Sequence, residues 1–367
     1  MKKVKFGIIG VGNMGRPHAQ TMAKSEEAEV TAIADVNFEA ARAVADEVGA
    51  QAFGDYKQLI RKGGVEAIII ATPHLLHPPV AAYAARHGVH VLSEKPLAVA
   101  VSQADKMIEA CRDANVLLGV VFQQRTEAAR IKMKSMVDEG VLGTLHRVAM
   151  SAPWYRPQSY YDSGSWRGTW NGEGGGILMN QAPHSLDQFL WIGGKPKSAQ
   201  AIAATRLHNI EVENLALSIL DYGNGKVGWI YASTAEIPLP ERFEVVGDQG
   251  VLVLESGKLR HYETKEPLSQ HLGSSPEPFG HLAGEWRDVK VEKTPEGHIE
   301  VILAFARAVR ANDASLLTAS GEDGLASLEL ANTILLAGFK RREIDFPLDR
   351  KRYDKLLKKL QKDAKDA

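Results

Sequence analysis

Two stretches of the chain carry residue types that can move a proton. In the first, Ser93-Glu94-Lys95-Pro96 directly follows a short apolar run. A lysine that is partly desolvated in such a turn can bind a substrate oxygen and exchange its proton. A solvated lysine in an ordinary turn is the alternative interpretation. In either case Pro96 fixes the turn, and proline is the residue type that can follow a cis bond. Lys95 is therefore a candidate catalytic residue.

The second stretch begins with the glycine run 174–176 and continues through Asn180 to His184. Three glycines allow the backbone to approach a ligand closely. Histidine has the intrinsic pKa of a general base for an alcohol proton. Asn180 and His184 are four residues apart, so on a helix over residues 178–192 they would share one face. Pro183 is expected to disturb that helix just before the histidine. A structural histidine is the alternative, but the neighbouring glycines favour a functional role.

A third motif, Gly10-Val11-Gly12-Asn13-Met14-Gly15, lies between an apolar run and an amphipathic stretch, and a second apolar run ends in Asp35. The first glycine permits a tight turn, the second lets backbone approach a pyrophosphate, and the third lets helix pack close to strand. An acid about twenty residues further on is placed to bind a ribose 2′-hydroxyl. The motif predicts a dinucleotide site. The carboxylate favours NAD over NADP because it would repel a 2′-phosphate, although Asn37 and Arg42 nearby leave NADP open.

The elements that position these motifs alternate in type over the first third of the chain. Apolar runs predict strands at residues 5–9, 30–34, 52–53, 66–71, 90–93 and 117–121. The stretches between them predict helices, one of them with Ser102 as its N-cap. This alternation is typical of an α/β protein with a doubly wound parallel sheet. Because ligands bind beyond the carboxyl ends of such strands, Lys95 is expected near the nicotinamide.

The second part of the chain has a different pattern. Alternating strands are predicted at residues 215–220, 227–233, 242–247 and 251–255, without crossover helices between them. They indicate an antiparallel sheet with one open face. Val227, Trp229 and Tyr231 alternate with Gly228, Ile230 and Ala232, so both faces carry apolar groups. An exposed apolar face predicts a homodimer or homotetramer joined through this sheet. Residues 266–295 are predicted as a long loop.

Composition limits the class of protein. A length of 367 residues favours two domains, and 44% hydrophobic with 24% charged residues is ordinary for a globular protein. A net charge of -1 gives no reason to expect a nucleic acid or membrane partner. No apolar run approaches the roughly 20 residues that span a bilayer. The single cysteine cannot form an internal disulfide. We expect a cytoplasmic protein.

The three motifs, in this order, resemble those of the Gfo/Idh/MocA family of sugar and inositol dehydrogenases. The resemblance implies a Rossmann domain over residues 1–122 that binds NAD. It implies an α/β domain over residues 123–350, built on an open, mostly antiparallel sheet, for substrate binding and oligomerisation. Residues 351–367 are expected to form a basic C-terminal tail, either a solvated terminal helix or a frayed end. The resemblance also implies that Lys95 is catalytic and that His184 is the active-site histidine. Members usually carry Asp where this chain has Asn180, which cannot accept a proton, so Lys95 and His184 would carry the proton work.

Further site residues follow from the resemblance and from composition. The run Ala71-Thr72-Pro73-His74-x-x-His77 resembles the family's second cofactor loop, and a metal site at the two histidines is a poor alternative because no further ligands follow at suitable spacing. Gln123-Gln124-Arg125 falls where the family passes between domains, near the substrate. The predicted cofactor-binding residues are Gly10, Gly12, Asn13, Met14, Gly15, Asp35, Thr72, Pro73, His74, His77, Glu94, Lys95 and Gln123. The predicted substrate-binding residues are Asn180, Arg125, Trp154, Arg156, Trp166 and Arg167.

The segment 154–170 is rich in Trp, Tyr, Arg and Gly, which suits a wall against a sugar. Aromatic faces can stack on a pyranose, and Arg can bind its hydroxyls or a carboxylate. An aromatic core cluster under a loop is the alternative. No cluster of Lys or Arg marks a nucleotide-sugar phosphate site, which favours a free sugar, a glycoside or a cyclitol. The function predicted is NAD-dependent oxidation of such a hydroxyl. The alternatives are an enzyme that retains NAD for glycoside cleavage or epimerisation, and an inactive sugar-binding regulator.

Overall fold

The computed structural model describes residues 2–366, and within them the chain forms two compact units. The first unit contains the chain through Thr126, then Asn171–Gly174 and Pro295–Leu328. The second contains Glu127–Trp170, Gly175–Thr294 and the chain from Glu329 onward. Met1 is the first residue of the predicted Rossmann domain, and Ala367 is the last residue of the predicted tail. Both lie outside the described residues.

Strands and helices are numbered here in chain order. The strands are β1 Val4–Ile9, β2 Ala28–Ala34, β3 Gln51–Phe53, β4 Ala67–Ile70, β5 His90–Ser93, β6 Leu118–Val120, β7 Leu145–Pro153, β8 Ser198–Ala204, β9 Leu215–Asp221, β10 Val227–Ser233, β11 Arg242–Gly247, β12 Gly250–Glu255, β13 Lys258–Thr264, β14 Gly284–Asp288 and β15 Ile344–Asp345. The helices are α1 Gly15–Met22, α2 Phe38–Val48, α3 Tyr56–Lys62, α4 His77–Ala85, α5 Val101–Asp113, α6 Ala128–Asp138, α7 Gln158–Asp162, α8 Ile177–Asn180, α9 Pro183–Gly193, α10 Leu268–Ser274, α11 His298–Ala311, α12 Gly321–Lys340 and α13 Arg350–Asp366.

The first unit is built on a parallel sheet in the order β3-β2-β1-β4-β5-β6. Strands β1 and β4 pair directly, with Phe6 opposite Ala67. Every residue of β4 is buried, as expected for a central strand that is covered on both faces. The predicted doubly wound arrangement is confirmed. It places the glycine motif and the turn at Lys95 after the carboxyl ends of β1 and β5.

A late helix completes the core of the first unit. Val301, Ile302 and Phe305 of α11 are buried in one apolar cluster with Phe6 and Ile8 of β1. The rings of Phe6 and Phe305 are 6.2 Å apart, in the range where tilted aromatic pairs attract. The sequence predicted one boundary between the domains, at residue 122. In the structure each unit instead contains several separate segments of the chain.

The second unit is built on a sheet in the order β14-β13-β12-β11-β7-β10-β9-β8-β15. Strands β7 and β10 are parallel, and the other neighbouring pairs are antiparallel, so the predicted mostly antiparallel sheet is confirmed. Burial alternates along β10: Ile230 is buried, whereas Val227 is exposed and Trp229 is half-buried. One face of these strands is therefore apolar and open.

Several local predictions differ from the structure. Helix α5 starts after the extended residue Ala100, so Ser102 lies inside the first turn and is not the N-cap. The predicted loop 266–295 contains α10 and β14, because β14 pairs with β13 at the sheet edge. The predicted tail forms the helical alternative, α13, but this helix is amphipathic and not fully solvated, because it buries Tyr353, Leu356 and Leu357. The local sequence pattern did not predict these details, because they depend on pairing and packing with residues that are distant in the chain.

None of the helices within residues 2–366 is both long enough and apolar enough to cross a membrane.

Candidate functional site

The glycine motif of the first unit has the geometry of a dinucleotide turn. Gly10 has a φ of 89°, and a Cβ there would lie 2.6 Å from the carbonyl oxygen of Ala71. A Cβ on Gly15 would lie 1.8 Å from the Gly10 carbonyl oxygen, so α1 packs on β1 more closely than any side chain allows. Gly12 differs from both, since a Cβ there would meet no atom within 4 Å. Space at this position is open to a ligand.

Helix α1 begins beside that open space without a side-chain cap. Met14 is its N-cap residue and makes no capping hydrogen bond, and the first turn carries no acid. Helix N-terminal N–H groups of this kind bind phosphate well. The residues present therefore fit a pyrophosphate, with Gly12 and Asn13 in the turn that leads into α1.

Asp35 ties the glycine turn to the end of β2. Its Oδ2 accepts a hydrogen bond from the N–H of Val11, and its Oδ1 accepts one from the N–H of Asn37, each at 2.9 Å. The carboxylate is thereby fixed in orientation. Each carboxylate oxygen can accept a further hydrogen bond, so a ribose hydroxyl can still be bound.

The turn at Lys95 is held by a buried acid. Glu94 Oε1 lies 2.7 Å from His18 Nε2, and Glu94 Oε2 accepts a hydrogen bond from the Lys95 N–H at 3.3 Å. The His298 ring lies 5.4 Å from the His18 ring. Burial acts to raise the pKa of the Glu94 carboxyl, but the hydrogen bond and charge of His18, with the charge of Lys95, outweigh it and lower the pKa to about 2. The Lys95–Pro96 peptide bond is cis.

The predicted second cofactor loop is braced from inside. His77 is fully buried, and its ring nitrogens face the carbonyl oxygens of Pro96 at 2.9 Å and Thr72 at 2.8 Å. Burial lowers the pKa of His77, against the opposing effect of those carbonyls. His74 Nδ1 lies 3.1 Å from the Glu173 carbonyl oxygen. His77, a predicted cofactor-binding residue, thus joins the loop that carries Thr72 and Pro73 to the turn that follows Lys95, and its contact with the cofactor stays a prediction.

No group of three or more potential metal-binding side chains occurs among the described residues.

Arg125, a predicted substrate-binding residue, has a carboxylate partner in the first unit. Its Nη2 lies 3.0 Å from Asp323 Oδ1, and its side chain is buried. Gln123 begins the same short turn, Gln123–Thr126, which follows β6. This ion pair holds the turn within the first unit, and a contact of Arg125 with substrate stays a prediction.

In the second unit a buried acid holds the glycine run, and sequence reasoning missed it. Glu213 accepts hydrogen bonds from the N–H of Gly176 at 2.9 Å and the N–H of Leu178 at 3.1 Å. A Cβ on Gly176 would lie 1.7 Å from the Glu213 carbonyl oxygen. No local motif marks Glu213, because it approaches from the start of β9, far away in the chain.

His184 and Asn180 do not share one helix as predicted. Asn180 ends α8, and His184 is the second residue of α9, which starts at Pro183. Proline has no N–H to continue the α8 hydrogen bonds, and this separates the two helices. His184 is buried. Its neighbour Ser185 donates a hydrogen bond to Glu241 at 2.5 Å.

Three of the predicted substrate residues, Arg156, Arg167 and Asn180, contact one tyrosine of the second unit. The Tyr160 hydroxyl receives hydrogen bonds from Arg167 at 2.6 Å and from Asn180 and Gln181 at 3.1 Å each. The guanidinium carbons of Arg167 and Arg156 lie 4.5 and 5.1 Å from the centre of the Tyr160 ring. The other ring contacts are Arg167 with Trp166 at 4.5 Å and Arg156 with Trp154 at 5.6 Å. Sequence reasoning treated Tyr160 only as part of an aromatic segment, although its position between two arginines was visible.

The sequence matches two models that describe the domains of one family. Residues 4–122 match a model of an oxidoreductase family with an NAD-binding Rossmann fold, and residues 131–253 match the C-terminal domain of GFO/IDH/MocA proteins. The chain belongs to the Gfo/Idh/MocA family. The resemblance inferred from the motifs is confirmed, and this family member is an NAD-binding oxidoreductase.

Relatives of this Gfo/Idh/MocA protein are similar over nearly its whole length. It is 24% identical over 336 residues to the myo-inositol 2-dehydrogenase of Thermotoga maritima, which covers 89% of this chain and 94% of that protein. It is 24% identical to the inositol 2-dehydrogenase of Rhizobium meliloti, over 93% of this chain and 98% of that one. The WlbA dehydrogenase of Bordetella pertussis, solved in complex with NADH and UDP-GlcNAcA, is 29% identical with a TM-score of 0.80, over 95% of this chain and 100% of that one.

Proposed function

We propose that this protein is an NAD-dependent dehydrogenase that transfers a hydride between nicotinamide and a hydroxyl-bearing carbon of a sugar, sugar derivative or inositol. The turn at Lys95 carries the proposal. It holds a lysine against the buried Glu94 carboxylate in the unit that contains the dinucleotide motif. The names of the relatives, inositol 2-dehydrogenases and a dehydrogenase solved with a nucleotide sugar acid, support the substrate class.

In the direction of substrate oxidation, each of these side chains has a separate role. Bound NAD supplies the hydride acceptor. His184 or Lys95 removes the hydroxyl proton, and Lys95 stabilises the negative charge that develops on the oxygen. Asn180 can position the substrate hydroxyl, but an amide cannot take its proton at neutral pH. The two proton-handling groups are therefore Lys95 and His184.

Replacing Lys95 tests this assignment. Lys95→Ala should reduce kcat by about 10²–10⁴-fold, the usual loss for an acid–base residue, while the Kd of NAD changes little. The assay is NADH formation on a panel of sugars and inositols. Lys106→Ala, which removes an exposed lysine of the same unit, is the matched control and should retain activity. A Lys95→Ala enzyme with nearly normal kcat would refute the proposed role.

Two further observations distinguish the proposed dehydrogenase from the alternative functions, an enzyme that retains NAD and an inactive regulator. Purified protein that absorbs in the nicotinamide bands without added NAD would favour retained cofactor and transient oxidation. Absence of NAD reduction across the whole panel, with sugar binding intact, would favour a regulator over a dehydrogenase.

We also propose that the open sheet face joins copies of the chain in a homodimer or homotetramer. On that face Ile219 of β9 is 63% exposed and lies opposite Trp229 of β10. Leu217 is 40% exposed, and Ile202 of the next strand, which lies opposite it, is 60% exposed. Contiguous exposed apolar residues on a regular sheet are typical of an interface.

Light scattering at micromolar concentration tests the proposed assembly. Ile219→Asp should reduce the measured mass to that of a single chain, because it would bury a charge in the interface. Leu207→Asp, at a position that is 91% exposed outside the strands, should leave the mass unchanged. A monomeric unmodified protein would contradict the proposal.

A further inference from the structure

Two arginines of the second unit differ from every other arginine that the structure describes as buried or half-buried. The others each form an ion pair with a carboxylate; they are Arg125, Arg130, Arg147, Arg242 and Arg350. Arg156 and Arg167 are half-buried too, yet within residues 2–366 neither guanidinium lies within 4.0 Å of a carboxylate oxygen. Guanidinium groups stay charged at any physiological pH. The segment therefore holds two guanidinium charges that form no ion pair within residues 2–366.

Both charges lie against the same aromatic ring. Arg156 and Arg167 stack on Tyr160, and stacking leaves the outward edges of a guanidinium available for hydrogen bonding. Arg156 donates to the carbonyl of Tyr155 and Arg167 donates to the Tyr160 hydroxyl, which are both neutral acceptors. A small anion near the Tyr160 ring can therefore be within reach of both arginines.

More N–H donors are directed at the Tyr160 hydroxyl than its oxygen can accept. Asn180 and Gln181 also direct N–H groups at its hydroxyl oxygen, which has only two lone pairs. The buried indole N–H of Trp154 has no acceptor among the described residues. A cluster of donors with uncompensated positive charge binds a ligand that is rich in acceptors and negatively charged.

We propose that Arg156 and Arg167 bind a carboxylate of the substrate, so that the substrate is a sugar acid and not a neutral sugar. This inference rests on the proposed dehydrogenase function. A planar guanidinium matches a carboxylate with two parallel hydrogen bonds, and the half-buried setting strengthens them. Asn180 links the arginine cluster to the helix pair that carries His184, so the anion and the reacting hydroxyl belong to one ligand.

The cavity beside Arg167 is not the anion site. It has a volume of about 440 Å³ and is lined by residues that include Asp162 and Glu211, whose charges would repel a carboxylate. Asp162 is bound by Gln158, and Glu211 accepts the N–H of Trp170. The carboxylate is assigned instead to the side of Arg167 that faces Tyr160.

The first experiment compares matched substrates with the NAD-saturated enzyme. D-glucuronate is paired with D-glucose, D-galacturonate with D-galactose, and D-glucose 6-phosphate and myo-inositol are added. We expect kcat/KM for at least one acid to exceed that of its neutral partner by about tenfold or more, the size of one charge-assisted hydrogen bond. Calorimetric titration of the same compounds records binding independently of turnover.

The second experiment uses variants of the cluster. Arg167→Gln and Arg156→Gln should reduce the acid-to-neutral ratio of kcat/KM about tenfold, mainly through KM for the acid, and Arg167→Lys should restore part of it. Arg147→Gln, which removes a half-buried arginine already paired with Glu244, should leave the ratio unchanged. NAD affinity and thermal melting identify any variant that has failed to fold.

The outcomes separate the two proposals. Turnover of neutral sugars or myo-inositol at equal or higher kcat/KM than every acid would overturn the sugar-acid inference and support the dehydrogenase function. A preference for the phosphate ester over both acids would overturn the choice of a carboxylate. If no compound is oxidised, the dehydrogenase proposal fails on this panel. In that case acid-selective binding that Arg167→Gln abolishes would uphold the anion site, and its absence would reject it.

Discussion

Around the dinucleotide motif of the first unit, polar side chains are committed to partners in the protein. Both oxygens of Asp35 accept backbone N–H groups, Glu94 binds His18, and Arg125 pairs with Asp323. In the second unit, Arg156 and Arg167 have no carboxylate partner among the described residues. The first arrangement holds a backbone turn in one shape, which suits a ligand that is always the same. In the second arrangement the two guanidinium groups can still form ion pairs, which suits a ligand that carries a negative charge.

The largest effect is expected from adding one methyl group at either of two glycines of the first unit, which tests whether the backbone turn is shaped by packing or by the ligand. Gly15→Ala should destabilise the unit by more than about 3 kcal/mol and abolish NAD binding, because its Cβ would overlap the Gly10 carbonyl. Gly12→Ala should leave stability within about 1 kcal/mol and weaken NAD binding alone, since its Cβ meets only open space. Denaturant unfolding and NAD titration measure the two effects. Equal loss of stability in both variants would contradict a ligand-facing role for Gly12.

The commitment of Glu94 to His18 makes the first unit sensitive to acid. The pKa of Glu94 is lowered from 4.5 to about 2 in the folded state, so its stabilising contribution is fully present above pH 4.5 and is lost as the pH falls through about 2. The shift corresponds to about 3 kcal/mol. Hydrogen exchange of β1 and β5 peptides between pH 5 and 2.5 should show this loss. Glu94→Gln should flatten the pH dependence, and Glu109→Gln, at an exposed position of α5, should not. Identical slopes in all three proteins would contradict the assignment.

A smaller effect is expected inside the second unit, at Gln188 of α9. This side chain is fully buried, and neither its amide nitrogen nor its amide oxygen has a partner among the described residues. Gln188→Met keeps the volume and removes the unpaired groups, so the free energy of unfolding should rise by about 1 kcal/mol. All six tryptophans lie in the second unit, so their fluorescence follows its unfolding. Gln181→Met removes an amide that does have a partner and should give no gain. A lower stability for Gln188→Met would show that the amide is bound.

Features that depend on backbone conformation could be predicted from the sequence. The glycine turn, the acid that follows β2 and the alternation of strands and helices in the first unit follow from local residue types, because few other conformations suit them. The break before His184 was also expected from Pro183. What periodicity could not show is that the break removes Asn180 from the helix of His184, since it predicts helical faces only where a helix is continuous.

The partners of charged side chains could not be predicted. Arg125 and Arg167 were equivalent candidates in the sequence, yet only Arg125 has a carboxylate partner, in a segment nearly two hundred residues later. Glu213 was missed for the same reason, because its hydrogen bonds to the glycine run depend on the position of a distant strand. Charge compensation is a property of the folded chain, and it separates residues that look alike in sequence.

The late position of α11 in the chain has a consequence for synthesis. Every strand of the first sheet leaves the ribosome before the second unit is made, but the helix that covers Phe6 and Ile8 emerges only after most of the second unit. A nascent first unit therefore has an incomplete core while the second unit is translated. The apolar surface that is uncovered during that interval can bind chaperones, and the chain should gain its full NAD-binding competence only once α11 has emerged.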